Sequence, residues 1–459
     1  MGSSRSRRAR APRRRAPHEP GNPPGVDREI LSLALPALGA LVAEPLFVLA
    51  DSAIVGHLGT AQLAGLSLAS NVLLTIVGLC IFLAYTTTAQ VARLTGAGRE
   101  RDALQAGIDG VWLAIVLGAV LAIVLVMAAD RTVLALGGRG DVARHAVTYL
   151  TWAAPGLVGM LMVTAATGVL RGLRDTRTPL VVASAGAVTN MVLNAVLVYG
   201  AGLGIAGSAL GTAVTQFGMA TVLGVIVVRG GRARGATLRP HVHGILAGAR
   251  AGLPLVIRTL SLRAAILLTV YVATGLGAVA LAGHQIVNSM WGLAAFALDA
   301  LAIASQALVG HGLGAGDVGH VRTVLRRCLR WGVASGAVIG LVMVAGGWWI
   351  APLFSSDDGV RVAAALGLAV CGVTLPMAGW VFVLDGVLIG AGDGRYLAWT
   401  GMLTLVAYVP AALAVHAWAP GGAVGLAWLW GAFAGVFMAA RALVTGLRAR
   451  GSRWMVTGV

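Results

Sequence analysis

The stretch "GVLRGLRDTR", Gly168 to Arg177, returns later in the chain as "GVLIGAGDGR", Gly386 to Arg395. Six of the ten positions are identical, at an offset of 218 residues. The same offset carries Pro36 onto Pro254 and "LGTAQLAG" (Leu58–Gly65) onto "LGAVALAG" (Leu276–Gly283). It also carries "GAG" at Gly96–Gly98 onto Gly314–Gly316, and Gly204, Gly207 and Ala209 onto Gly422, Gly425 and Ala427. Chance matches of Gly and Ala are common in a chain this rich in them. A shared register across about 175 residues is not. The chain is an internal duplication.

What is duplicated is apolar. Of 459 residues, 58% are hydrophobic and 11% charged, and the mean hydropathy is +0.86. A soluble domain carries about a quarter charged residues. Uncharged runs such as "VWLAIVLGAVLAIVLVMAA" (Val111–Ala129) are long enough for a bilayer core, which takes ~20 helical residues. A transmembrane barrel would instead show short alternating segments. Glycine is 65 of 459, too many for helices in water, where it weakens the helix. In a membrane, small residues let helix backbones approach closely. The expected class is all-α integral membrane protein.

The apolar runs define twelve spans: Ile30–Ile54, Leu63–Tyr85, Val111–Ala129, Ala146–Leu170, Leu180–Tyr199, Ile205–Val228, Leu253–Val272, Val279–Val309, Trp331–Phe354, Val362–Ile389, Tyr396–Ala417 and Ala423–Ala440. Arginines orient them, since cytoplasmic loops are enriched in positive charge. The two tails and the loops after even-numbered spans hold 28 arginines, and the opposite loops hold four, Arg131, Arg139, Arg144 and Arg361. Both termini are therefore expected in the cytoplasm, in a multi-pass protein of the inner (plasma) membrane. Each repeat has six spans, so both copies run the same way. Two six-helix bundles related by a pseudo-two-fold axis along the membrane normal follow, an arrangement of secondary transporters. The expected domains are a disordered Arg/Pro-rich tail (1–28), a first lobe (29–229), a linker (230–250) with a candidate amphipathic surface helix, a second lobe (251–445) and a C-terminal tail (446–459). The substrate path is expected between the halves.

Several classes drop out. The basic N-terminal tail suits a surface near anionic lipid, and no nucleic-acid partner is expected. Cys80, Cys328 and Cys371 form no CxxC pair, so no metal site or disulfide framework is indicated. No HExxH, phosphate loop or GxSxG occurs. No cofactor and no enzyme activity are expected. A membrane-embedded transferase would need a convergent catalytic set, and none stands out.

Ionisable groups inside spans are costly and mark candidate sites. Glu44, Asp51, Asp299 and Asp385 are the acids; Arg258 and Arg263 are the bases. Glu44 and Asp51 are two turns apart on one helix face. Pro45 between them frees a backbone carbonyl and invites a kink. A carboxyl group that exchanges a proton beside a bendable helix is a candidate coupling element. Asn190 and Asn194, at i and i+4 in span five, could turn their amides to a carboxylate or ligand. Arg258 and Asp299 could relieve one another as a pair. Asp385 precedes the second copy of the opening phrase, where the first copy has Thr167. His284 and Gln285 enter span eight as further candidates for a substrate cavity. Within the phrase itself, Asp175, Arg177, Asp393 and Arg395 are expected to cap helices and tie each bundle at its inner end.

These residues resemble the multidrug and toxic compound extrusion (MATE) family, in its DinF-like branch. The resemblance is carried by "LALPALGALVAEPLFVLADSAIVGHLGTAQLAG" (Leu33–Gly65), "GVLRGLRDTRTPL" (Gly168–Leu180), "LGAVALAGHQI" (Leu276–Ile286) and "LDALAIASQALVGHGLGAGD" (Leu298–Asp317). It covers nearly the whole chain after residue 28. It implies a monomeric exporter of small organic, often cationic, compounds, working by alternating access and driven by entry of H⁺ or Na⁺. It also implies that Asp51 takes part in cation coupling with the polar pair of the fifth span. Relatives usually have Asn then Asp there; here the second is Asn194. A single carboxylate is a poorer Na⁺ ligand set than two, which favours H⁺. One charge crossing ~100 mV supplies ~2.3 kcal/mol, enough for a roughly 50-fold gradient. A flippase for lipid-linked or polysaccharide precursors is the alternative within the wider superfamily.

Overall fold

The structure is a computed structural model that describes residues 25–458, apart from the side chain of Glu44. Residues 1–24 of the expected tail lie outside the described residues. Each apolar run forms a helix, and among the described residues there is no strand. The first lobe contains α1 (Val26–Gly56), α2 (Thr60–Leu79), α3 (Phe82–Gly96), α4 (Glu100–Ala135), α5 (Gly140–Ala153), α6 (Gly156–Gly172), α7 (Arg177–Ala195) and α8 (Gly204–Ala233). The second contains α9 (Val242–Gly275), α10 (Ala278–Gly314), α11 (Val318–Ile350), α12 (Asp358–Gly390), α13 (Gly394–Trp418), α14 (Gly422–Trp430) and α15 (Met438–Arg450). A π turn, Val196–Gly200, extends α7, and another, Gly431–Phe437, joins α14 to α15.

Eleven helical segments are long and apolar enough to span a bilayer, with α2 and α3 counted as one. The pair α5 and α6 is a twelfth, bent by 55°. The bend falls at Ala154–Pro155, where proline removes a ladder donor. The expected twelve-helix, two-bundle fold is the observed one. α1 runs unbroken through Pro36 and Pro45.

The doubled phrase is a pair of helix crossings. Gly168 and Gly172 set α6 against Ala84 and Thr88 of α3, and Gly386 and Gly390 set α12 against Ala302 and Gln306 of α10. A Cβ at any of the four would meet a backbone oxygen. Small residues four apart make this approach possible in lipid. Thr87 donates to the Ala165 carbonyl at 3.3 Å, and its counterpart Ser305 donates to Val383 at 3.4 Å. The following turn needs a left-handed residue, Gly392 (φ 77°) in one copy and Arg174 (φ 64°) in the other. Asp175 caps α7, accepting from the Arg177 and Thr178 amides at 3.0 and 2.9 Å. Asp393 does not cap α13; it holds Arg448 at 2.7 Å.

The lobes meet at the arginine-rich end. Gly96 packs on the backbone of His311, and Gly314 packs on the backbone of Arg93. An apolar core shared by both lobes lies here, including Ile30, Leu83, Leu255, Leu308 and Leu388. At the arginine-poor end each lobe has a core of its own, one around Leu66 and Leu150, the other around Val287 and Tyr408.

The C-terminal segment is part of the seal. After α15 the chain folds back, burying Trp454 in the shared core. Arg93 donates to the carbonyls of Ala391 (2.8 Å), Val456 (2.8 Å) and Gly458 (2.7 Å). The Gly458 amide donates to Leu313 at 3.1 Å. Between the lobes only 234–241 is non-helical, because α8 runs to Ala233 and α9 begins at Val242. No separate amphipathic helix forms in the linker. The start of α4 holds it down: Trp112 donates to Leu238 at 3.0 Å, the His241 amide donates to Asp109 at 3.2 Å, and Glu100 pairs with Arg234 at 2.5 Å.

Candidate functional site

One substantial cavity opens in the described residues, with a volume of about 240 Å³. Every residue lining it belongs to the first lobe. In this state the cavity is walled by the first lobe, not by both halves. α1 presents Ala40, Phe47 and Asp51 along one face, spaced by whole turns. α6 presents Met160, Thr164, Thr167 and Arg171 in the same way. The remaining wall is mostly apolar, from α2, α7 and α8.

Asp51 is buried, not exposed at a mouth. One carboxylate oxygen accepts from the Asn194 amide. The other accepts from the Thr212 hydroxyl at 3.2 Å and the Tyr149 hydroxyl at 3.3 Å. Asn190 donates to Thr212 at 3.2 Å and accepts from Asn194 at 3.3 Å. The geometry brings the expected trio Asp51, Asn190 and Asn194 together. All its donors to Asp51 are neutral, and Asp51 makes no ion pair among the described residues. The carboxylate therefore sits in a polar cage that solvates it without cancelling its charge, a setting suited to taking up and releasing a cation. Glu44 was expected beside it; its side chain lies outside the described residues.

The repeat shows what the second lobe did with the same positions. Asp51 corresponds to Thr269, Asn190 to Tyr408 and Thr212 to Trp430. Thr269 and Tyr408 share a hydrogen bond at 2.7 Å. Tyr408, Trp430, Phe433 and Phe437 pack ring on ring at centroid distances of 5.4 to 5.9 Å. Aromatic bulk fills the place of the cavity.

The second-lobe candidates Arg258, Asp299, Asp385, His284 and Gln285 do not line the large cavity. The expected Arg258–Asp299 pair does not form. Arg258 instead reaches Asp385 at 2.5 Å, and Arg441 binds the same carboxylate oxygen. Asp385, on α12, is the acid that lies within reach of both guanidinium groups, from α9 and α15. Asp299 makes no ion pair among the described residues. His284 is buried against Trp430, its ring nitrogens without partners there, and Gln285 is exposed.

Sequence reasoning missed four contributors. Tyr149 and Thr212 carry no charge and look like ordinary helix residues. Arg171 and Arg441 were counted with loops and tails, yet both are buried. An arginine inside the last turns of an apolar run, opposite an unpaired acid in the neighbouring run, was the available signal for Arg441.

Comparison with known proteins gives this architecture a family. The MatE family profile matches twice, over residues 36–196 and 254–413, once in each lobe. The chain is 31% identical over 454 residues to Protein DETOXIFICATION 44, chloroplastic, of Arabidopsis thaliana, covering 95% of this chain and 84% of that one. It is 27% identical to DNA damage-inducible protein F of Escherichia coli (strain K12), covering 80% and 81%. It is 24% identical to a probable multidrug resistance protein NorM of Thermotoga maritima, covering 81% of each. Among solved structures it superposes on the Vibrio cholerae MATE transporter VcmN in the bent form, with a TM-score of 0.84 at 21% identity, covering 92% and 97%. The duplicated profile match and the twelve-helix fold together place the chain in the MatE family of multidrug efflux transporters.

Proposed function

We propose that the protein is a proton-coupled antiporter. It exports small organic compounds from the cytoplasm across a bacterial plasma membrane by alternating access, through the first-lobe cavity. The observation that carries this reading is Asp51. Among the described cavity-lining residues it is the one carboxylate, and its three donors are neutral. A proton needs one such group. A Na⁺ ion wants several oxygen ligands and anionic charge; the residue that would supply a second carboxylate is Asn194. The cationic character implied by the family resemblance would be met in the cavity by Asp51. Entry of a proton would then compete with a bound cationic group for the same oxygens.

The arginine distribution supports a cytoplasmic sealed end, and in this reading the state described opens outward. Closure of the outer halves over the cavity, with parting at Gly96 and Gly314, would complete the cycle. The chain works as a monomer in this reading, since both lobes are in one polypeptide.

The test uses the full chain in proteoliposomes. An imposed pH gradient should drive dye transport, and Asp51→Asn should abolish it while leaving the protein folded. Transport by wild type driven by Na⁺ alone, or undiminished transport by Asp51→Asn, would refute the reading.

A further inference from the structure

Three arginines are buried among the described residues: Arg171, Arg258 and Arg441. Two of them hold Asp385. Arg171 holds nothing: its guanidinium makes no hydrogen bond or ion pair among the described residues. It is 8% exposed, and what it faces is the large cavity.

The fold does not need a cation at this position. The same place in the second copy of the phrase is Ile389, buried in the same helix crossing. Removing an unpaired charge from water is expensive, so a guanidinium at the cavity wall calls for a ligand. Asp51 cannot be that ligand. α1 runs along the cavity from Ala40 to Asp51, eleven residues and roughly 16 Å of helix. Asp51 stands at the arginine-poor end of that length. Arg171 stands at the other end, in the last turn of α6. Between them the described wall is mostly apolar, with Leu73, Val77, Met160, Val163, Val182 and Met219, and its polar side chains, Thr164, Thr167 and Gln216 among them, are neutral. The planar fork of an arginine matches a carboxylate or sulfonate with two parallel hydrogen bonds.

We infer that this cavity takes amphipathic organic anions, the apolar body lying along α6 and α2 and the single anionic group held by Arg171. The inference rests on the reading of this cavity as the substrate site. A compound bearing both charges would set its cationic group toward Asp51.

The experiment uses the full chain in lipid nanodiscs and two fluorescent probes on one ring system. They are dimethylaminonaphthalene sulfonate and its neutral sulfonamide, which differ in charge and hardly in shape. Wild type should bind the sulfonate at least about tenfold more tightly, the scale of one charge-assisted contact. Arg171→Gln should erase that preference and leave sulfonamide affinity within about twofold, while Arg171→Lys should keep part of it. The inference is overturned if wild type shows no preference or binds neither probe. It is overturned as well if the preference survives in Arg171→Gln, or if that variant loses both affinities equally. Asp51→Asn separates the two readings: it should stop proton-driven transport and leave the binding ratio intact. Continued proton-driven transport with an intact ratio would sink the coupling role and spare the Arg171 contact.

Discussion

Asp51 and Thr269 occupy the same position in the two lobes, and only Asp51 faces open space. Thr269 hydrogen-bonds Tyr408 inside a block of aromatic rings. The two lobes share a frame and divide the labour. At this level polar groups around open volume belong to the first, and packed aromatic rings to the second.

Asn194 is the residue on which the choice of coupling ion should turn. Asn194→Asp places a second carboxylate against Asp51. Two adjoining anionic groups are a better hard-cation site. The variant should show more Na⁺-stimulated transport than wild type, measured as dye uptake in vesicles with a Na⁺ gradient and no pH gradient. A response to Na⁺ no greater than that of wild type would count against this account of the site.

Thr212 bridges Asn190 to Asp51, accepting from one and donating to the other. Thr212→Val keeps the shape and deletes both bonds. A buried polar partner left unsatisfied costs about 1–3 kcal/mol. Thermal unfolding in detergent should begin several degrees lower, and transport should fall. A melting curve identical to wild type would show that water substitutes for the hydroxyl without loss.

The Arg258–Asp385–Arg441 cluster makes an asymmetric forecast. Removing one arginine leaves an ion pair; removing the acid leaves two buried cations facing each other. Stranding a buried charge costs about 3–5 kcal/mol. Asp385→Asn should therefore destabilise the protein clearly more than Arg441→Met, as read by denaturant unfolding. The reverse order would mean that the second arginine, not the acid, holds the cluster together.

Trp454 is 1% exposed and shares its apolar core with Cys328. Trp454→Ala should cost about 3–5 kcal/mol, as large aromatic truncations do. The loss should loosen the arginine-rich end selectively. Maleimide labelling of Cys328 should speed up, while Cys371, in the second lobe's own core, should label as slowly as before. Equal acceleration at both cysteines would point to general unfolding.

Much of this was legible in the sequence because charge is rare there. In an apolar run, Asp51 announces itself, and Asn190 and Asn194 share its helix-spaced logic. The duplication was legible because no net insertion broke the offset. The partners of Asp51 were not. Tyr149 and Thr212 lie on helices whose approach to α1 is set by the bend at Pro155 and by glycine contacts, both tertiary facts. Arg258 was matched to Asp299 because both lie in spans; Arg441, read as tail, hid the actual arrangement around Asp385. Arg171 was hidden in the same way, at the end of a span where arginines are ordinary.

Gly96 meets His311, and Gly314 meets Arg93. Shifted by the repeat offset, each contact is the other. Such reciprocity is the signature of a two-fold homodimer. A six-helix ancestor would have met a second copy of itself through this surface, and there every mutation would have landed twice. Joining the copies in one chain lifted that restriction. One descendant half could fill with tryptophan and phenylalanine while the other stayed hollow.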